Sequence, residues 1–524
     1  MVMLPESPLT TIEARLRYLL PAEMYASMWG NPSVEIMIDV HKHLRTLQRI
    51  LHDYTSRQIS IDSLKPGDIK PEWKYGTMMF TDLAGFTKLM EANASKGRDG
   101  ASDLLYQLNK YFSTMIAIIS KSGGDLVEFT GDALLVVWGK NEKNDDALKA
   151  VRAGLRMQRA MKEFAEIQTP SGVVNLKMRI GIHSGRFLTA DIGTPRRMEH
   201  VLLGKDVQKA KLTESNGRNE RVNLSPAAYE RVADDFRFEE GTEITEEGRD
   251  MGKHYMLVMD DLDEDKLGDY EITPMGRRQA SGVLLTRDKQ EVLREIMGLL
   301  NLIEPIASFI PAPVLSLLVE SAADRKIPPD FPHPTIMFVN FIGLPESADR
   351  ALPGEEQKLA SHFSRAFSLI NAAVESRGGV LKKVTYHLSG SDIVIFFGVP
   401  NAHTNDELRA ASAALAIRDI VMNIKPPTIG NLQPDVYCQI GINSGPTFVA
   451  EVGDPRGRRE YNVLGDTVNT TARLMNRAGK NKIFISEIVK KAIEEKYECA
   501  SLGEVSLKGK SAPMVLYDLI ERKG

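Results

Sequence analysis

The sequence predicts an α+β fold in which one β-α-β-β-α-β unit is built twice. A long internal repeat predicts the doubling. Residues 77–86, TMMFTDLAGF, recur at 335–344 as TIMFVNFIGL, each an apolar β-run closed by a turn at glycine. The matches continue in order. SGGDLVEFTGDALLVVWG (122–139) corresponds to RGGVLKKVTYHLSGSDIVIFFG (377–398), with a longer hairpin in the second copy. DALKAVRAGLRMQ (146–158) corresponds to DELRAASAALAIR (406–418), both amphipathic helical patterns. RIGIHSG (179–185) pairs with QIGINSG (439–445), and GTPRRMEHVLLG (193–204) with GDPRGRREYNVLG (453–465). An offset of about 260 residues is too long for a solenoid repeat. Within each copy the order of elements predicts a ferredoxin-like core, extended by further strands and a helix.

The remaining segments follow from local pattern. Residues 1–74 form a helical lead-in, 75–262 the first domain, 263–332 a linker and 333–524 the second domain. The acidic stretch DDLDEDKLGDYE (260–271) reads as a solvated loop, and 286–325 as linker helices broken by proline. YLLPAEMYASM (18–28) echoes SFIPAPVLSLL (308–318), which suggests a similar helical lead-in before each core. The net charge of −4 and pI near 6.3 give no nucleic-acid or membrane footprint. The first residues, MVMLPESPLTTIEARLRYLL, lack the basic-then-apolar order of a signal peptide. The apolar stretch 296–319 carries Glu304, Pro305, Pro311 and Pro313, too broken to span a bilayer. With only two cysteines, Cys438 and Cys499, a reducing cytoplasm is the expected location.

Two carboxylates stand out in the first copy. Asp82 ends the first β-run, and Asp132 sits at the turn of the next hairpin, in FTGDALL. In a ferredoxin-like sheet these strands are neighbours, so both carboxylates meet at one edge. Two convergent hard oxygens suit Mg²⁺, which takes a couple of carboxylates plus substrate phosphates. The residues after Asp82, notably Gly85, Phe86 and Thr87, leave backbone N–H groups free to approach a triphosphate. In the second copy the carboxylate positions become Asn340 and Ser391.

These motifs resemble the class III nucleotidyl cyclases across both repeats. FTDLAGFT and FTGDALLVVWG are similar to that family's two metal-binding segments, NVLGDTVNTTARL (462–474) to its catalytic helix, and RIGIHSG to its phosphate-binding strand. The tandem arrangement most resembles the soluble, bicarbonate-responsive adenylyl cyclases. The resemblance implies two catalytic domains paired head to tail as an intramolecular pseudo-two-fold dimer. Each site then takes metals from one domain and the catalytic helix from the other.

The working site implied in this way takes two Mg²⁺ ions, replaceable by Mn²⁺, at Asp82, the adjoining Leu83 and Asp132. Asn469 orients the ribose and Arg473 stabilises charge on the α-phosphate, while Arg179 and Lys508 hold the remaining phosphates. The base is read by Lys383, with Lys382 as the alternative register, and by Asn462. The second site has Asn340, Ser391, Gln439, Gln208 and Leu212 where the first has Asp82, Asp132, Arg179, Asn469 and Arg473. The expectation is one working site and one silent site, in a monomer converting ATP to 3′,5′-cyclic AMP and pyrophosphate. The matching regulatory positions in the silent site are Glu128 and Lys211, open to a small-anion or other small-molecule regulator or to an ordinary interface salt bridge. The alternatives are a guanylate cyclase, suggested by Glu128, and a non-catalytic nucleotide sensor.

Overall fold

The structure, a computed structural model, describes residues 8–59, 65–169, 171–246, 249–263, 267–268, 270, 288–324, 326–454, 457–507 and 512–524. Three helices lead in: α1 (Pro8–Leu16), α2 (Ala22–Gly30) and α3 (Val34–Tyr54). The first copy contributes β1 (Glu72–Ala84), α4 (Phe86–Ala94), α5 (Gly97–Lys121), β2 (Asp125–Thr130), β3 (Ala133–Gly139) and α6 (Asp146–Ala160). It continues through β4 (Lys177–Thr194), β5 (Arg197–Leu203), α7 (Lys205–Ser215), β6 (Val222–Leu224), β7 (Phe238–Glu246) and β8 (Arg249–Val258). The linker holds α8 (Lys289–Ala307) and α9 (Ala312–Glu320).

The second copy repeats the plan. It has β9 (Thr335–Ile342), α10 (Glu356–Glu375), β10 (Val380–Tyr386), β11 (Ser391–Phe397), α11 (Asp406–Met422) and β12 (Tyr437–Ser444). Then come β13 (Phe448–Gly453), β14 (Arg459–Leu464), α12 (Asp466–Arg477), β15 (Lys482–Ser486), α13 (Glu487–Ile493), β16 (Tyr497–Val505) and β17 (Met514–Arg522). The first sheet runs β2-β3-β1-β4-β6-β8-β7, and the second β10-β11-β9-β12-β15-β17-β16. The leading four strands of each are in ferredoxin-like order. The central strands β1 and β9 are apolar on both faces because both faces are covered: Met78 and Phe80 of β1 pack with Phe187, Leu202 and Val207 of their own copy, and Ile336 and Phe338 of β9 pack under the lead-in and linker helices.

The copies complete each other's cores. Leu188, Ala190, Ile192, Val201 and Leu203 of β4 and β5 are buried with Phe341, Phe363 and Phe367 of the second copy. In return Phe448, Ala450, Val452 and Leu464 of β13 and β14 lie in the first copy's core with Phe112 and Phe129. These exchanged strand pairs build the expected intramolecular pseudo-dimer.

Helices precede each core, as expected, and they pack together: α3 packs along α8, and Leu44, Leu47, Ile296 and Ile303 share one cluster with Ile336, Phe338, Val394 and Phe396 of the second sheet. Their sequence echo survives as matching proline caps, Pro21 before α2 (φ −55°) and Pro311 before α9 (φ −56°). The acidic stretch 260–271 is, where described, a loop with Asp260, Asp261 and Asp263 exposed, as expected, and it is tied down at a few points. Asp260 takes both Nε and Nη2 of Arg159, Leu267 is fully buried, and Arg156 lies 4.2 Å from the centre of the Tyr270 ring. Arg159 of α6 holds Asp260, Arg237 holds Asp261, and Leu262 and Leu267 anchor the segment; residues 264–266, 269 and 271 lie outside the described residues. Among the described residues no helix is long and apolar enough to cross a membrane.

Candidate active site

At the edge of the first copy, β1 ends at Ala84 and turns through Gly85 with φ +98°. A side chain there would meet the Asn175 carbonyl at 2.5 Å, so glycine is required. Helix α4 begins at once, and helix geometry leaves the N–H groups of Phe86 and Thr87 without intrahelical partners. Asp132 stands in the two-residue loop between Thr130 and Ala133, where Gly131 takes φ +70°. The loop is pinned by the backbone N–H of Leu134, which donates to Thr81 Oγ1 at 3.0 Å. The register that sets Phe80 opposite Leu135 carries on to bring this loop level with Asp82.

Asp132 is half-buried, and its carboxyl is pushed up to about 7, first by burial and then by the neighbouring charge of Asp82. Two carboxylates that repel in this way fit a divalent cation between them. Among the described residues no group of three or more His, Cys, Asp or Glu is placed to hold a metal, so substrate phosphates would have to complete the shell. Leu83, next to Asp82, buries its side chain in the core.

Arg179 lies opposite Asp82 on β4, and its Nη2 donates to Asp82 Oδ2 at 2.9 Å. Its Nε donates to Glu214 Oε1 at 2.6 Å, and Lys211 Nζ donates to the other oxygen of Glu214 at 2.7 Å. Glu214 is fully buried and was missed from the sequence; its signal was its place three residues after Lys211 on α7. Tyr111 was missed as well. Its hydroxyl is buried without a partner, and burial, Asp132 and Asp82 together hold it in the neutral form.

The second copy closes over this edge. Asn462 Nδ2 donates to the Gly131 carbonyl at 3.2 Å, next to Asp132. Gly465, which caps α12, sits so close to α4 that a side chain would meet Met90 Sδ at 2.8 Å. Asn469 and Arg473 follow on α12, four apart and on one face. Asn469 is exposed, whereas Arg473 is half-buried with its Nη1 buried and unpartnered. Among the described residues neither side chain is hydrogen-bonded or ion-paired to the aspartates, of which Asp82 pairs with Arg179. Lys508 lies outside the described residues.

The lysine pair divides its work. Lys382 Nζ donates to Asn462 Oδ1 at 3.2 Å and pairs with Glu460 at 2.7 Å. Lys383 pairs instead with Glu460 at 3.1 Å and Glu128 at 3.4 Å, and donates to the Phe129 carbonyl. Lys382 is thus the lysine beside Asn462. Burial brings its ammonium down to about 8.

The expected Glu128–Lys211 pairing does not form. Glu128 joins Lys383 in a cavity between the copies, also lined by Glu199, Arg458 and Glu460. Lys211 is held by Glu214 on the metal side, near enough to Asp132 to favour its charged form. The cause is that α7 packs on its own sheet, so Lys211 turns toward its own strands.

At the second site Asn340 is fully buried, and its Nδ2 lies 3.1 Å from His387 Nδ1. Gln439 donates to the Ala478 carbonyl. Asp349 from the second copy accepts the backbone N–H of Lys205 at 2.7 Å, placing a carboxylate at the start of α7. The second site also holds a carboxylate that the sequence reading did not single out: Asp392, next to Ser391, lies directly opposite Asn340 in the sheet.

Comparison with known proteins matches the adenylate and guanylate cyclase catalytic domain at residues 71–259 and again at 331–521. Adenylate cyclase type 10 of Oryctolagus cuniculus is 22% identical over 475 residues, covering 84% of this chain and 28% of that protein. The chain therefore spans little more than a quarter of that relative. An adenylate cyclase of Mycobacterium tuberculosis (strain ATCC 25618 / H37Rv) is 26% identical over 219 residues, 42% of this chain and 46% of that protein. Among solved structures, a class III adenylyl cyclase-like ATP-binding protein from Pseudomonas aeruginosa shares the fold, with a TM-score of 0.53 at 14% identity over 86% of this chain and 92% of that one.

Proposed function

From the premise that this chain belongs to the adenylate and guanylate cyclase catalytic domain family, and carries that domain twice, we propose that it is an adenylate cyclase with one working site. The observation that carries the reading is a sorting of residues. Asp82, Asp132, Arg179, Asn469 and Arg473 all belong to one inter-domain site, while their counterparts Asn340, Ser391, Gln439, Gln208 and Leu212 all belong to the other. Both copies contribute to both sites, so decay of one copy alone would not separate them in this way.

The reaction is attack of the ribose 3′-oxygen on the α-phosphorus of ATP, closing the cyclic phosphate and releasing pyrophosphate. Asp82 and Asp132 are the residues that would hold Mg²⁺ or Mn²⁺, which when bound supplies Lewis acidity and neutralises phosphate charge. The protein's own side chains position and stabilise. Arg179, aimed by Glu214, meets the terminal phosphates. Arg473, whose Nη1 has no partner of its own, meets charge developing at the α-phosphate, and Asn469 sets the ribose. Asn462 accepts from the adenine N6 amino group and Lys382 donates to N1; Lys383 supports them through Glu460. The chain acts as a monomer, since both halves of the site lie in one polypeptide.

The test is purified protein with ATP or GTP and Mg²⁺ or Mn²⁺, with products separated by chromatography. Cyclic AMP from ATP is the expected result. Nucleotide binding with no cyclic product under any of these conditions would overturn the reading in favour of a sensor.

A further inference from the structure

The second site lacks both carboxylates of the first at their own positions and carries one, Asp392, at a neighbouring position. In the second sheet Thr385, Asp392, Asn340 and Gln439 lie opposite one another on four successive strands, β10, β11, β9 and β12. The matching residues of the first sheet are Thr130, Ala133, Asp82 and Arg179. Within the row the acid stands on the neighbouring strand, and glutamine stands where the first sheet has arginine.

This row is rich in acceptors that nothing satisfies. Asn340 Oδ1, Asp392 Oδ1, Thr385 Oγ1 and the Tyr386 hydroxyl are all buried without hydrogen-bond partners. Asn340 is 0% exposed and Asp392 and Thr385 are each 6% exposed. Unsatisfied buried acceptors are costly, a charged one most of all. A side chain on the loop residue Gly390 would come within 2.5 Å of both Asn340 Oδ1 and the Phe341 carbonyl oxygen, so these two oxygens face the same place.

Among the described residues no lysine or arginine answers them: none forms an ion pair with Asp392, and Lys383 is engaged by Glu128 and Glu460. His387 Nδ1 lies 3.1 Å from the Asn340 amide nitrogen, 3.2 Å from the Ser389 backbone nitrogen and 3.1 Å from the Ser389 carbonyl oxygen, and among the described residues its ring is the one group that favours the charged form of Asp392. The Gln439 amide is already spent on Ala478. An anion is disfavoured by Asp392 itself and by Glu128, which faces it from the first copy.

We propose that this row is a binding site for one hard divalent cation, held by the Asp392 carboxylate together with the Asn340 amide oxygen and the neighbouring hydroxyls. An all-oxygen set with a single carboxylate suits ions of the Mg²⁺ and Mn²⁺ type, with water completing the shell, and does not suit zinc. The proposal is independent of the reaction assigned to the other site. The competing occupant is a proton, because burial pushes the Asp392 carboxyl up to about 7.

Mn²⁺ separates the two by electron paramagnetic resonance. The full chain carrying Asp82→Ala and Asp132→Ala, which removes the other metal ligands, is titrated with Mn²⁺ at pH 8. One bound ion per chain is expected, displaceable by Mg²⁺, and adding Asp392→Asn should abolish it with the circular dichroism spectrum unchanged. Asn340→Asp, which restores a carboxylate pair, should tighten binding at least tenfold. No bound ion in the first variant, retention after Asp392→Asn, or unchanged affinity in Asn340→Asp would each overturn the proposal.

Discussion

Replacing Glu460 by glutamine tests the charge cluster that joins the two copies. Glu460 is nearly buried, with Lys382 at 2.7 Å, Lys383 at 3.1 Å and Arg458 at 3.7 Å. Burial alone pushes its carboxyl up, but Lys382, Lys383 and Arg458 together outweigh burial and bring it from 4.5 to about 2. Each pH unit of such displacement corresponds to about 1.4 kcal/mol, so the ionised form stabilises the fold by about 3 kcal/mol at neutral pH. The folded value lies below the unfolded one. The contribution is therefore complete above about pH 5 and fades as pH falls through 2; by pH 3 roughly half remains. Removing one member of a buried ion cluster typically costs about 3–5 kcal/mol, which agrees. Equilibrium urea unfolding of wild type and Glu460→Gln at pH 7 and at pH 3 measures both the size and the slope. A difference under about 1 kcal/mol at pH 7, or one that does not shrink toward pH 3, would refute the reasoning.

Three further outcomes are expected. Asp82→Ala and Asp132→Ala should each lower cyclase turnover by at least about a thousandfold while leaving the circular dichroism spectrum intact, because among the described residues no other carboxylate pair is placed at this edge to hold the catalytic metal; substantial metal-dependent turnover in either would contradict the site. Residues 75–262 and 333–524 produced apart should be inactive and prone to aggregate, since each lacks strands that finish its core, and activity should return on co-expression. Cyclic product from the first segment alone would contradict the roles given to Asn469 and Arg473. ATP should be preferred to GTP by roughly ten- to a hundredfold, the effect of about 1–3 kcal/mol from a mismatched buried hydrogen bond. Competition assays should show Lys382→Ala eroding that preference more than Lys383→Ala, and a wild type that prefers GTP would sink the base assignment.

The fold was legible because hydrophobic period and turn residues recur twice in one order, which fixes strands and helices without any structure. What remained hidden depends on register and partner. Lys382 and Lys383 are adjacent, and only the irregularity in the β10–β11 ladder between Leu381 and Lys383 decides which ammonium meets Asn462. Asp392 looked like an ordinary strand residue until the pairing set it opposite Asn340. Lys211 was matched to Glu128 by analogy, yet the buried Glu214 one helical turn away is the nearer acid. Apolar strands such as Phe448–Gly453 announce burial, but a sequence does not say whose core they enter.

That last point sets a timetable for synthesis. The first copy's sheet ends at Val258, but its core includes Leu464. A ribosome adding about 5–20 residues per second needs roughly 10–40 seconds to make the stretch between them. Throughout that interval the nascent first half exposes the surface around Phe112 and Phe129 that β13 and β14 will cover. Chaperone occupancy of the nascent chain should therefore persist well past the first sheet and fall only after the second has emerged.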